Sequence, residues 1–317
     1  MTTSPPRPTS TGPSTGQSIS LPAGLFIGLS VAAFAAAYAW LIVTGHGVTA
    51  STDPGASELS LWGAALPPLA AMALARLVPP RREPPSPPAT PPGVRPLQEL
   101  PGDLLLKDLP RERLLKEAWA LVAAAVAFAC VAPIALGDLA LLYPPVKVLL
   151  LLVFPLVVFR VVRGGGPKAR AIPAPVTWLA PLPAVVAWFV LAKVSPLAVP
   201  LSQELPDPVT LAVASLITLL TASVLEEIFY RGWLQTRLEA LYGRWPAVMA
   251  SSLLFAFMHT THIPAAAPAL GVAGIVAYQG MFGLMQGYLW ARYRNIWAII
   301  LIHTLVNLVY VSMLLGR

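Results

Sequence analysis

The residues with the most chemistry in this 317-residue chain stand in Ser223-Val-Leu-Glu226-Glu227-Ile-Phe-Tyr-Arg231-Gly232. Two adjacent carboxylates and an arginine lie inside an apolar segment that begins near Pro208. Ionisable groups at such depth are costly and mark a functional site by default. Neighbouring residues on a helix point about 100° apart, so the two glutamates cannot do the same job. Glu227 and Arg231 are spaced i,i+4 with the acid first, the better order for an ion pair. Glu226 has no partner on its own helix and is the candidate reactive group. The competing reading is that both glutamates only neutralise arginines at a helix end.

Two later apolar segments carry polar groups of their own. Phe255-Ala-Phe-Met-His259 holds a histidine, and His303-Thr-Leu-Val-Asn307 places a histidine and an asparagine on one helix face. His262, one turn beyond His259 and just before Pro264, reads as interfacial. Taken singly, each histidine is equally at home as a core hydrogen-bonder. Taken together, three helices each bring polar groups to an otherwise apolar bundle, and one shared site accounts for all of them. The segment between carries Gly283-x-x-x-Gly287, whose small residues let helices approach closely. These glycines are expected to pack, bringing the polar groups of neighbouring helices together.

The elements that must position these residues are membrane helices. The chain is 56% hydrophobic and 11% charged, and its mean hydropathy is positive, a composition foreign to soluble domains. Apolar spans are expected at 23–44, 60–78, 117–136, 146–163, 176–196, 208–230, 246–262, 270–291 and 295–314. That makes nine, or eight if 60–78, which contains Pro67-Pro68, is not a span. Asp207 can cap a helix whose first residue is Pro208, and that helix is expected to continue to about Tyr242. Residues 1–20 read as a disordered tail and 79–116 as a Pro-rich loop. The single cysteine, Cys130, excludes an intramolecular disulfide.

Loop charge sets the orientation. With the N-terminus inside, 18 of the 21 basic residues fall on the cytoplasmic side; only Lys147, Lys193 and Arg317 do not. The net charge of +7 is then a property of cytoplasmic loops, and nucleic acid is not the natural partner. One tension remains in the depths. At about 1.5 Å per residue, His259 lies ~21 Å from Trp245 and His303 ~12 Å from Asn295, but Glu226 only ~7 Å from Arg231. Convergence requires the helix to tilt or Arg231 to sit below the membrane surface.

Glu-Glu-x-x-x-Arg at 226–231, Phe-x-x-x-His at 255–259 and His-x-x-x-Asn at 303–307, in this order and on separate spans, resemble the CPBP family. These are the CAAX-protease and bacteriocin-processing intramembrane proteases, related to the Ras-converting enzyme. The resemblance covers roughly 176–317. It divides the chain into the tail 1–20, an N-terminal set of helices with the loop over 21–175, and a catalytic helical core over 176–317. It implies an all-α polytopic bundle that hydrolyses a peptide bond in or beside the bilayer. The substrate would be a membrane-associated protein or peptide cut near its C-terminus or leader. The setting would be a bacterial inner membrane.

On that footing Glu226, assisted by His259, would take a proton from water. Burial raises a carboxylate's pKa and makes it a better base near neutral pH. His303 and Asn307 would donate to the developing oxyanion. Glu227 and Arg231 would support Glu226. No cofactor is needed in this scheme. The alternative is a zinc site of Glu226, His259 and His303 with an open fourth position. Asn307 beside His303 suits an oxyanion site better than a ligand shell, and Glu227, already claimed by Arg231, is the one carboxylate in sight to orient ligating histidines. A transporter or a non-enzymatic immunity protein is the alternative outside the enzymes, although the two halves show no inverted repeat.

Overall fold

The computed structural model describes residues 21–49, 58–80, 103–105, 109–136, 142–164, 168–170, 178–198 and 207–307. The tail 1–20 and most of the loop 79–116 lie outside the described residues, so the expectations made for them stay open. Among the described residues nine helical segments fall at the nine expected places. They are α1 (Leu21–Thr44), α2 (Leu61–Leu77), α3 (Arg111–Leu136), α4 (Tyr143–Arg163), α5 (Leu182–Val194), α6 (Pro208–Tyr242), α7 (Arg244–Phe257), α8 (Pro268–Tyr293) and α9 (Ile296–Asn307). Two minimal strand pairings accompany them: Val48–Thr49 antiparallel to Glu58–Leu59, and Asp103–Leu105 parallel to Lys168–Arg170.

The chain is a polytopic α-helical membrane protein, but the count of nine spans is not supported. Five helices, α1, α3, α4, α6 and α8, are long and apolar enough to cross a bilayer. Among the described residues α2, α5 and α9 are apolar but shorter, with 308–317 beyond α9 outside them, and α7 has 14 residues. The expected span 246–262 is cut short because α7 stops at Phe257 and the chain passes into a tight turn over Thr260–His262.

Local signals set the ends of the central helices. Ser60 caps α2 by accepting a hydrogen bond from the Gly63 amide at 3.0 Å. Asp207 caps α6 by accepting from the amides of Val209 and Thr210. Hydrogen bonding, led by the Thr210 side chain, holds the Asp207 carboxyl below its usual range. Gly243, at φ +87°, breaks α6 from α7 at a conformation that other residues rarely adopt.

Between those caps α6 runs 35 residues to Tyr242, as the interfacial residues after Arg231 predict. At ~1.5 Å per residue it is about 52 Å long, which puts Glu226 and Glu227 near its middle. The depth tension disappears: Arg231 is completely buried.

α6 is not uniform. Over Leu219–Val224 and again over Ile228–Gln235 it widens to i→i+5 turns, with the two glutamates between. Widened turns leave backbone groups to be satisfied from elsewhere, which inside a membrane is obligatory. The Thr236 hydroxyl donates to the Arg231 carbonyl at 2.8 Å, and the Ser251 hydroxyl of α7 donates to the Tyr230 carbonyl at 3.0 Å. The Trp290 indole of α8 in turn donates to Thr236 at 3.1 Å. The second wide turn is thus anchored to both neighbouring helices.

Basic residues collect at one end of the bundle. Arg292 donates to the carbonyls of Arg76 and Val78, Arg294 pairs with Glu239, and Arg113 and Arg237 share Glu117. α7 and α8 pack closely through glycine. A Cβ at Gly283 would lie 3.1 Å from Phe255 Cδ1 and 3.3 Å from the Ser252 backbone, and one at Gly287 only 2.8 Å from Gln235 Oε1. Gly283→Ala must therefore push backbone against backbone. Overpacking of this kind costs ~1–3 kcal/mol, and a lowered unfolding midpoint for the purified variant in detergent is the expected result.

Candidate active site

The widened middle of α6 presents Glu226 and Glu227 to different neighbours, and both are buried. Glu227 Oε1 receives Arg231 Nη1 at 3.0 Å, one helical turn along, as the spacing predicts. The same oxygen also meets His303 Nδ1 of α9 at 2.7 Å and Gln286 Nε2 of α8 at 3.4 Å. The other arm of Arg231 donates to the Gly283 carbonyl at 3.1 Å, and its guanidinium lies 4.4 Å from the centre of the Phe255 ring. Gln286 is held by a second bond to the Ile299 carbonyl at 2.7 Å. One carboxylate therefore joins α6, α8 and α9.

Glu226 also has a partner. Its Oε1 pairs with the ammonium of Lys147, four residues into α4. Among the described residues its Oε2 has no hydrogen-bond partner, and it stands 3.7 Å from His303 Nε2. The His303 ring thus bridges the two glutamates, with Nδ1 on Glu227 and Nε2 facing the open oxygen of Glu226.

One turn further on α9, Asn307 Nδ2 donates to Ser223 Oγ of α6 at 3.2 Å. His259 sits just past the end of α7 rather than within a helix, and its Nδ1 bonds the Phe255 carbonyl at 2.9 Å. Since a carbonyl only accepts, Nδ1 carries the proton and Nε2 is left as an acceptor. The Phe255 ring touches both histidines edge-on, at 5.1 Å from His259 and 5.8 Å from His303. His262 packs against His259 at 5.6 Å.

The structure brings Glu226, Glu227, Arg231 and His303 into direct contact, with Asn307 one turn away. His259 joins them through the shared phenyl ring, without a hydrogen bond to either glutamate. Three polar partners are not expected from sequence: Lys147, Gln286 and Ser223. Lys147 carries a signal, since it is a cation within the expected span 146–163, but loop charge assigns it to the outer side. The expectation that Arg231 alone claims Glu227 is corrected: the oxygen that binds Arg231 also reaches His303.

Among the described residues no three His, Cys, Asp or Glu side chains are gathered so as to hold a metal ion. The candidate ligand set of Glu226, His259 and His303 fits poorly on its own chemistry as well. An ammonium on Glu226 sets a positive charge where a zinc ligand would have to face a second one.

The model of the Rce1-like type II CAAX prenyl endopeptidases matches residues 208–309. Over residues 208–309 the chain is similar to an Rce1-like domain. The match is consistent with a CPBP-family intramembrane protease, and supports intramembrane endopeptidase activity in general. No curated protein and no solved structure matches the chain. The Rce1-like domain runs from the first residue of α6 to just past α9. It contains Glu226, Glu227, Arg231, His259, His303 and Asn307, and leaves out Lys147. It is also narrower than the 176–317 suggested by the motifs.

Within the Rce1-like domain Glu227 is the residue whose loss strands most neighbours. Glu227→Gln leaves the Arg231 charge buried without its counter-ion. Removing one partner of a buried pair costs ~3–5 kcal/mol, so this variant is expected to unfold earlier or to accumulate poorly. A wild-type unfolding midpoint for Glu227→Gln would contradict this.

Proposed function

We propose that the chain is a metal-free glutamate-dependent intramembrane endopeptidase. Its substrate is a membrane-associated protein or peptide, processed near its C-terminus or leader. The observation that carries the reading is the open Oε2 of Glu226, 3.7 Å from the Nε2 of a histidine whose other nitrogen is held by Glu227. Hydrolysis of an amide needs a base for water and a donor for the oxyanion. Glu226 Oε2 is the acceptor that takes a proton from the attacking water, and His259 Nε2 is a second acceptor that helps hold that water. The water oxygen adds to the scissile carbonyl carbon and the C=O electron pair moves to oxygen. His303, protonated and stabilised through Nδ1 by Glu227, donates from Nε2 to that oxyanion. Asn307, one turn along the same helix, is the second donor. As the tetrahedral intermediate collapses, the C–N bond breaks and Glu226 returns its proton to the leaving amine.

The zinc alternative would use Glu226, His259 and His303 as ligands. No step is routed through a metal, because the Lys147 ammonium already neutralises Glu226 and His259 makes no direct polar contact with Glu226 or His303 among the described residues. A transporter or immunity role has no observation in its favour that the protease reading lacks. We also place the N-terminus and the basic end of the bundle in the cytoplasm of a bacterial cell. The gathering of Arg76, Arg113, Arg237, Arg292 and Arg294 at one end supports this.

Three measurements test the proposal. Glu226→Gln should abolish cleavage, because the amide cannot take the proton, while its carbonyl still accepts from Lys147 and keeps the fold. Asn307→Ala should lower turnover ~10²–10³-fold with little change in substrate affinity, as loss of one oxyanion donor does. Metal analysis of active protein with a chelator titration should find activity independent of zinc. One bound zinc per chain whose removal stops cleavage would overturn the mechanism. For orientation, Thr90→Cys in a Cys130→Ser background should label only in permeabilised cells, and Ala50→Cys from outside. Labelling of both from the same side would refute the assignment.

A further inference from the structure

We propose that Lys147 is a positioning residue of this site: its ammonium fixes one oxygen of Glu226 so that the other faces His303 and the scissile bond. The inference rests on the proteolytic reading above and extends the site outside the Rce1-like domain, to α4.

The contact is long-range in sequence, 79 residues apart, and both side chains are almost fully buried, at 5% and 2% exposure. A lysine inside a membrane bundle is costly and is retained only with a partner. A purely structural ion pair can satisfy both oxygens of its carboxylate. The same protein contains one for comparison. Glu117 of α3, also buried, has Arg113 Nε on Oε1 at 2.8 Å and Arg237 Nε on Oε2 at 2.7 Å. Both oxygens are used and nothing is left to react. Glu226 has one oxygen tied to Lys147 and the other open toward His303; Glu227 also has an Oε2 without a partner among the described residues, but Glu226 Oε2 is the one 3.7 Å from His303 Nε2.

The choice of lysine also has a reason. An arginine offers a planar fork that binds both oxygens of a carboxylate at once, whereas lysine is a compact point charge. Here the ammonium engages Oε1 and leaves Oε2 without a partner among the described residues. The ammonium is itself held in place, 5.7 Å from the centre of the Tyr143 ring one turn earlier on α4.

The test is steady-state kinetics on the full-length protein in detergent with a cleavable membrane-anchored peptide. Lys147→Met, nearly the same length without the charge, should lower kcat by about 10²-fold, the scale of losing precise placement of a reacting group, and leave KM unchanged. Lys147→Arg restores the charge on a larger, planar head that cannot take the ammonium's place without moving Glu226, so it should fold like the wild type and stay impaired in kcat. A structural clamp would instead be rescued by arginine. Where Lys147→Met does not fold, Lys147→Gln, polar but uncharged and too short to hold Oε1 in the ammonium's place, carries the same comparison. Wild-type kcat in a folded Lys147→Met or Lys147→Gln, or full rescue by Lys147→Arg, would overturn the assignment. Glu226→Gln, assayed alongside, reports separately on the protease reading: if it still cleaves, that reading fails whatever Lys147 does.

Discussion

Two adjacent carboxylates buried in the middle of a membrane helix are the constraint around which this bundle is arranged. Water cannot screen their charges at that depth, so protein must supply the counter-charge from close range. Helix geometry turns the two side chains in different directions, so one cation cannot serve both. Arg231, on the same helix, serves Glu227. Lys147, on α4, serves Glu226. Donors for the rest come from α8, as Gln286, and from α9, as His303. Four helices are thus brought together by polar groups that have nowhere else to go. Between membrane helices, where lipid is as apolar as any side chain, such bonds and close packing do the work that hydrophobic burial does in water.

The widened turns of α6 arise from the same constraint. A regular α-helix repeats every 3.6 residues, and each i→i+5 turn carries more residues and rotates the helix beyond it. Widening on both sides of Glu226 and Glu227 changes how the pair, the Arg231 side chain and the preceding Ser223 are turned relative to one another. Membrane burial allows this only because hydroxyls from Thr236 and Ser251 take up the freed carbonyls. The small residues on α8 have a matching role. Gly283 lets α7 come close enough for the Phe255 ring to lie against Arg231 and both histidines, and its own carbonyl receives the arginine's second arm. The glycine contributes through what its missing side chain permits and through its backbone oxygen.

Much of this is legible in the sequence because the signals are local. The i,i+4 spacing of Glu227 and Arg231, the Asp207–Pro208 start of α6 and its extension to Tyr242 depend on a few neighbouring residues, and the structure has all three. Polar residues in apolar segments mark the helices that meet. The rest depends on rotation and depth. Periodicity in a helix apolar on all sides does not say which face meets which neighbour, so it cannot match Lys147, Gln286 and Ser223 to Glu226, Glu227 and Asn307. Hydropathy locates an apolar segment, and it overstates α7, where His259 lies beyond the helix end. For the same reason nine apolar segments do not become nine full-length spans.

The boundary of the Rce1-like domain and the boundary of the charged cluster do not coincide. Residues 208–309 contain every motif residue, yet of the segment's two buried arginines Arg231 meets Glu227 and Arg237 meets Glu117, which leaves Glu226 without a buried cation there. The missing charge is on α4, in the part of the chain without recognisable motifs. The two parts are joined again at Glu117, whose oxygens bind Arg113 on its own helix and Arg237 on α6. They are joined a third time at the Thr260 hydroxyl, which donates to the Ala129 carbonyl of α3. All three links cross from the motif-bearing helices to α3 or α4, and two of the three are buried ion pairs. An isolated 208–309 segment would therefore expose Arg237 and leave Glu226 uncompensated. The N-terminal helices are part of the electrostatic structure of the site and cannot be treated as a detachable anchor.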